Sequence, residues 1–282
     1  MQQFNVAITS FSDGRPRVHE SLKARISENA ERIRSALEGD TLLHPTVISE
    51  IVHSNASAKG TGAHLRTLNA DAHLFNIPVF AFPNFSVIAA RIIEQPVMVN
   101  SNRDGSLPGA GGTLAASAAM RQVGMKAFKS WGDLVSDERE RSRVRAFCRA
   151  AGTVQRLKGS VYGLFGGRSI GMGSGVANPD QWMRLFGVDI EHVDQLEIVR
   201  RAGLVAAESV ERAYEWLMSR LGKKDLSGKS APEHIRTQIR HYIATKEIVD
   251  ELGMDFIGVK CHYDLSEYVV TQCMTAMLLN DP

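Results

Sequence analysis

Residues 96–124 read PVMVNSNRDGSLPGAGGTLAASAAMRQVG, and this stretch decides the fold class. Its apolar opening, PVMVNSN, has the length of a strand and runs into a polar loop. The run Pro108-Gly109-Ala110-Gly111-Gly112 lets the chain turn sharply. The small residues that follow, TLAASAAMRQVG, predict a helix whose backbone can lie close to a sheet. Strand, loop and helix in that order form the unit that parallel α/β domains repeat, and ligands tend to lie where such loops gather.

The pattern extends in both directions. Upstream, FNVAITSF (4–11) is predicted to be a short buried strand, followed by the turn Ser12-Asp13-Gly14 and a helix over about residues 17–37. In that helix Leu22, Ile26, Ile33 and Leu37 fall on one side. TVISEIV (46–52) and NIPVFAFPN (76–84) are read as strands, the latter limited by its prolines. Downstream, SDERERSRVRAFCRAAGTVQRLKG (136–159) reads as a solvated interdomain helix with acids ahead of arginines, the order a helix dipole favours.

From about Ser160 the alternation restarts. SVYGLFGG and VDIEHVD are strand-like, and Pro179 suits the first turn of the helix between them. Two long helices are expected over about residues 196–221 and 231–252, then a strand in MDFIGVKCHYD and a final helix in SEYVVTQCMTAMLL. The expected architecture is α/β, with two Rossmann-like parallel-sheet domains at residues 1–155 and 156–282, the second carrying part of an active site.

Charge and composition narrow the function classes. Lys and Arg number 33 against 31 Asp and Glu, a net charge of +2, which argues against a nucleic-acid groove or an anionic membrane surface as partner. No uncharged apolar run reaches membrane-spanning length, and the N-terminus lacks the pattern of a secretory signal. Cys148, Cys261 and Cys273 have no CxxC spacing, so a reducing cytoplasm is the expected setting.

Two loops carry chemical potential. GGRSIGMGSG (166–175) permits close backbone approach to a ligand, and Arg168 can hold an anion or a hydroxyl-rich substrate. Its spacing fits neither a P-loop nor a dinucleotide fingerprint, and a packing loop is the plain alternative. His262, Asp264 and Glu267 follow the apolar strand FIGV. Imidazole and carboxylates suit Mn²⁺ or a similar ion, and a carboxylate can shuttle a proton, although polar residues are common at strand ends and an ordinary loop and helix cap is the plainer reading of these three alone. His64 and His73 are weaker candidates for reaching a substrate, Cys261 is read as buried, and Tyr162, Trp182 and Tyr263 can pack either in a core or against a sugar face.

Several separate stretches resemble the L-fucose isomerase family and its wider sugar-isomerase relatives. They are Asp13-Gly14-Arg15 with Val18-His19-Glu20-Ser21-Leu22, RDGSLPGAGGTLAASAAMRQVGMKAF, and GGRSIGMGSGVANPDQWMRLFGVDIEHVDQLEIVRRA, all in the family's order. The resemblance implies a divalent-metal aldose-ketose isomerase, commonly using Mn²⁺, working through an ene-diol on a pentose, 6-deoxyhexose or modified hexose. It implies a place near the sugar for Met172 and a role for Arg15 or Arg17 at a neighbouring subunit's sugar in a trimer or hexamer; with the two loops above, the expected sugar site adds Arg168, Ser169, Ser174 and His262. Family carboxylates and a histidine come from the end of the second domain and from a third domain. The chain stops at Asn280-Asp281-Pro282, about where the third would begin, so a complementary segment or chain is the expected partner. A gapless comparison sets Ala276 at the place of the family's first metal glutamate. Glu267, as catalytic and metal-binding carboxylate, is the expected displaced equivalent, with Asp264 second. An aldolase or transaldolase-type enzyme and a non-catalytic sugar-binding or assembly subunit are the alternatives.

Overall fold

The computed structural model describes residues 3–103, 107–222, 226–228 and 231–280; residues 104–106 of the stretch quoted first lie outside them. The chain divides into two compact units, Met1–Arg156 and Leu157–Pro282.

In the first unit β1 (Phe4–Ser10), β2 (Leu43–Val47), β3 (Ala72–Asn76), β4 (Val97–Ser101) and β5 (Ala127–Trp131) form one parallel sheet in the order β2-β1-β3-β4-β5. Five helices connect and follow them: α1 (Pro16–Glu38), α2 (Asn55–Thr67), α3 (Pro83–Ile93), α4 (Ala110–Gln122) and α5 (Glu138–Leu157). Side chains alternate across the sheet as a pleated strand requires. Val6, Ile8, Leu74 and Met98 pack with Ile33 and Leu37 of α1 and Val144, Phe147 and Cys148 of α5. Ala7, Phe75, Val97 and Val99 pack with α2, α3 and α4 on the other face. With both faces covered, the central strands read as nearly continuous apolar runs.

Several expected boundaries move. The second strand is Leu43–Val47, not 46–52, and its Pro45 is tolerated because β2 lies at the sheet edge. The third is Ala72–Asn76, so NIPVFAFPN contributes only Asn76 and the rest is loop leading to Pro83 in the first turn of α3. The polar stretch before it is helical, started by the reciprocal Ser54–Ser57 capping box of α2. The charged segment is no solvated bridge: α5 buries Val144, Phe147, Cys148 and Ala151 against the first sheet and keeps its arginines outward.

In the second unit β6 (Val161–Phe165), β7 (Asp189–Val193) and β8 (Phe256–Val259) form a parallel sheet in the order β7-β6-β8. Phe165, Ile198, Ile248, Met254 and Ile257 make its core. Its helices are α6 (Pro179–Phe186), α7 (Gln195–Ala202), α8 (Ala207–Arg220), α9 (Pro232–Leu252), α10 (Asp264–Tyr268) and α11 (Cys273–Leu279). The helix expected over residues 196–221 is two, interrupted after Gly203, and the last one breaks at the β-branched run Val269-Val270-Thr271.

Candidate functional site

Parallel pairing decides which loops of the second unit meet. Phe165 of β6 is in register with Val259 of β8, so the chain leaves both strands at the same sheet edge. The Lys260 amide donates to the Phe165 carbonyl at 2.9 Å, and the Gly166 amide donates to the Val193 carbonyl at 2.8 Å. The glycine loop after β6 and the segment bearing His262, Asp264 and Glu267 after β8 therefore rise from neighbouring strand ends.

The loop itself is a pair of consecutive turns, with the Met172 amide donating to Ser169 O and the Gly175 amide to Met172 O. Gly166 and Gly171 take positive φ values of 80° and 78°, conformations that side chains resist. Arg168, Met172 and Ser174 are exposed, and Ser169 is half-buried. Ile170 and Tyr268 expose apolar surface at the same edge.

The three polar residues after β8 are brought to one edge but not to one point. Asp264 is ion-paired with Lys260 at 2.5 Å, a contact that holds its carboxyl below the usual range. Glu267 and His262 are exposed, and Glu267 has no side-chain partner among the described residues. Among the described residues no group of three His, Cys, Asp or Glu side chains can hold a metal ion. A divalent cation needs several oxygen or nitrogen donors converging on it, so these residues do not fit a metal centre by themselves. Ala276 lies on α11 and supplies no donor. Tyr162, half-buried, packs on Trp182 and Phe256, with ring centroids 5.2 Å apart in each case, so both aromatic candidates have packing partners within the unit. Tyr263 is exposed, and Cys261 is half-buried instead of buried.

In the first unit the turn after β1 reaches the position where strand order reverses between β1 and β3, the usual crevice of such sheets. Here it is occupied by the protein's own groups. Buried Asp13 accepts from the Arg15 backbone amide at 2.8 Å, from Arg15 Nε at 2.9 Å and from Nη2 at 2.7 Å. These bonds hold the Asp13 carboxyl below its ordinary range. Arg15 is thus partly spent on its own turn, while Arg17 is exposed and unpaired among the described residues. Gly14 is needed because a Cβ there would come 2.6 Å from the Phe82 ring. His19 stacks on His53 with centroids 4.0 Å apart, and burial pushes the His19 pKa down. His73 is fully buried in β3 against Gln95 at 2.6 Å, so it has a structural place; His64 is exposed on α2. The Asp13–Arg15 bracket was not foreseen as a unit, although the spacing Asp-Gly-Arg carries its signal.

The family model described as L-fucose isomerase, first N-terminal domain, matches residues 3–159, more than half of the chain. The chain belongs to the L-fucose isomerase family. An L-fucose isomerase of Bacteroides fragilis is 29% identical over 140 residues, covering 46% of this chain and 24% of that protein. One from Vibrio vulnificus is 32% identical over 118 residues, covering 39% and 20%. The match to the Phocaeicola vulgatus L-fucose isomerase, 25% identical over 213 residues, covers 65% of this chain, more than its first unit holds, and 36% of the relative. The chain thus matches between a fifth and just over a third of the length of these L-fucose isomerases. Among the described residues no helix is long and apolar enough to cross a membrane.

Proposed function

We propose that this chain supplies the sugar-binding part of an aldose-ketose isomerase of its family. The observation that supports the reading is the emergence of the glycine loop and the Glu267 segment from adjacent parallel strand ends, in a chain whose relatives are L-fucose isomerases. A pentose, a 6-deoxyhexose or a modified hexose fits the reading.

Isomerisation moves a proton between C2 and C1 of an open-chain sugar through an ene-diol. An exposed, unpaired carboxylate such as Glu267 can take the C2 proton and return it to C1. Asp264, held charged by Lys260, is the weaker proton carrier. Arg168, Ser169, Ser174 and His262 would bind hydroxyl oxygens, Met172 would pack on the carbon skeleton, and Arg17 is better placed than Arg15 to serve a sugar because no acid occupies it. Divalent-metal dependence, with Mn²⁺ as the first ion to try, belongs to the reading through the family, and its remaining ligands would come from outside the described residues. An assembly of several copies in the cytoplasm completes the proposal.

The test is turnover of a panel of pentoses and 6-deoxyhexoses by the full-length source protein, with and without chelator. An equal-length ketose lost on chelation is expected. Shorter carbon fragments would mean aldol chemistry, and binding without turnover a non-catalytic subunit. Glu267→Gln is expected to abolish turnover, and unchanged turnover would remove Glu267 from the site. Arg168→Ala with unaltered KM would remove that arginine from sugar binding.

A further inference from the structure

A cavity of about 420 Å³ lies in the first unit at the carboxyl ends of β4 and β5, between the start of α4 and the face of α5. Three cations line it: Arg103 after β4, Lys129 of β5 and Arg143 of α5. Arg103 is preoriented, because its Nε donates to the Trp131 carbonyl at 3.2 Å and its guanidinium lies 5.0 Å from the Trp131 ring centroid. Lys129 is half-buried and has no ion pair among the described residues.

The one acid in the lining is already engaged. Glu140, buried, accepts from Ser130 Oγ at 2.9 Å and from the Trp131 amide at 3.2 Å, and stands 3.8 Å from Arg143. The cavity therefore keeps an excess of positive charge. Its floor adds donors. Ala110 lines it at the first turn of α4, a 13-residue helix with no side-chain cap and no acid in that turn. Free amides and the helix dipole at such an end favour an anion. The independent sign of a missing ligand is Thr113, which lines the cavity, is 4% exposed, and has a buried Oγ1 without a hydrogen-bond partner among the described residues. Buried hydroxyls are normally paired, so this one calls for an acceptor. Leu114 and Trp131 supply an apolar wall beside the charges.

We infer that this cavity binds a small phosphomonoester, its dianionic group held by Arg103, Lys129, Arg143 and the Thr113 hydroxyl at the start of α4, and its carbon body against Leu114 and Trp131. A dianion matches a lining of three cations and a hydroxyl donor, and the volume suits a molecule of a few carbons. No residue of the glycine loop lines this cavity, and the inference does not depend on the isomerase reading.

The experiment is thermal melting and calorimetric titration of the full chain with inorganic phosphate, with glycerol phosphate, and with chloride at matched ionic strength. A saturable rise in melting temperature with phosphate and a tighter one with glycerol phosphate, but none with chloride, is expected. Loss of a charge-assisted bond should weaken glycerol phosphate by about tenfold in Arg103→Gln and again in Lys129→Gln. Thr113→Val, which keeps shape, should weaken it severalfold, while Arg66→Gln on α2 should leave it unchanged. Absence of saturable binding by either phosphate probe overturns the inference. So does binding that the Arg103 and Lys129 variants, with unliganded melting temperatures near that of the parent, leave untouched.

Discussion

The carboxyl edges of the two parallel sheets are built alike and used differently. Around β1 and β3 of the first, away from the cavity beside Trp131, polar side chains are drawn into the fold: Asp13 is buried under Arg15, Asn76 donates to Ser10 Oγ at 3.0 Å, and His19 lies against His53. At the second, the glycine loop and the Glu267 segment stand in solvent with few partners. Chemistry-bearing residues that look equivalent in sequence are therefore structural in one place and uncommitted in the other. Burial desolvates a polar group and obliges it to find a partner, whereas an exposed group waits for a ligand at little cost in stability.

Glycine substitutions should separate the two edges most widely. A Cβ on Gly109, just before α4, would come 2.1 Å from the Ile77 carbonyl oxygen, and backbone cannot yield as a side chain can. Gly109→Ala should destabilise the chain by about 3 kcal/mol or more, through forced backbone displacement. Gly173 in the exposed loop has nothing within 4 Å of such a Cβ and a φ outside the left-handed region. Gly173→Ala should leave the urea midpoint in place. Equal costs at both positions would erase the distinction between the edges.

Acid should weaken the first unit by a smaller amount. Burial depresses the pKa of His19 and His73 there, and of His241 in the second unit, with Gln95 and Gln272 partly opposing it at His73 and His241. Each histidine then binds a proton more readily unfolded than folded, so stability rises with pH. The contribution is complete above the unfolded value of about 6.5 and is lost as pH falls below it toward the depressed folded values. Unfolding titrations between pH 8 and pH 5 should show this decline. His73→Gln should make the decline shallower, and an unchanged slope would show that β3 carries its imidazole without penalty.

Much of this arrangement was legible in the residues. PVMVNSN and the glycine turn before α4 announced the parallel α/β repeat, because strand length, turn chemistry and small helical residues agree. The errors follow from tertiary override. The edge position of β2 tolerates Pro45, which displaced the expected strand, and the half-exposed β5, AFKSW, has too weak an alternation to be noticed. The arginine-rich α5 looked solvated because its buried Val144, Phe147, Cys148 and Ala151 are thinly spaced among charges. The glycine loop and the polar segment after β8 were each visible, but only strand register could place them at one edge. The cavity beside Trp131 is lined from four successive segments, the chain just after β4, α4, β5 and α5, which only the fold brings together, and it left no local motif.

The smallest expected effect is the most discriminating. Glu267 and Arg168 are exposed, and neither makes a salt bridge or side-chain hydrogen bond among the described residues, so Glu267→Gln and Arg168→Ala should each change stability by less than about 0.5 kcal/mol. Asp13→Asn, by contrast, removes the charge that draws three donors of Arg15 into one turn and should shift the unfolding midpoint measurably. Urea titrations of the three variants, with circular dichroism to verify folding, make the comparison direct. A loss in Glu267→Gln matching that in Asp13→Asn would mean that this carboxylate also braces its own loop. Stability held constant while turnover falls is the pattern of a residue that acts on a ligand, since the lost interaction is then one that the folded chain does not make by itself.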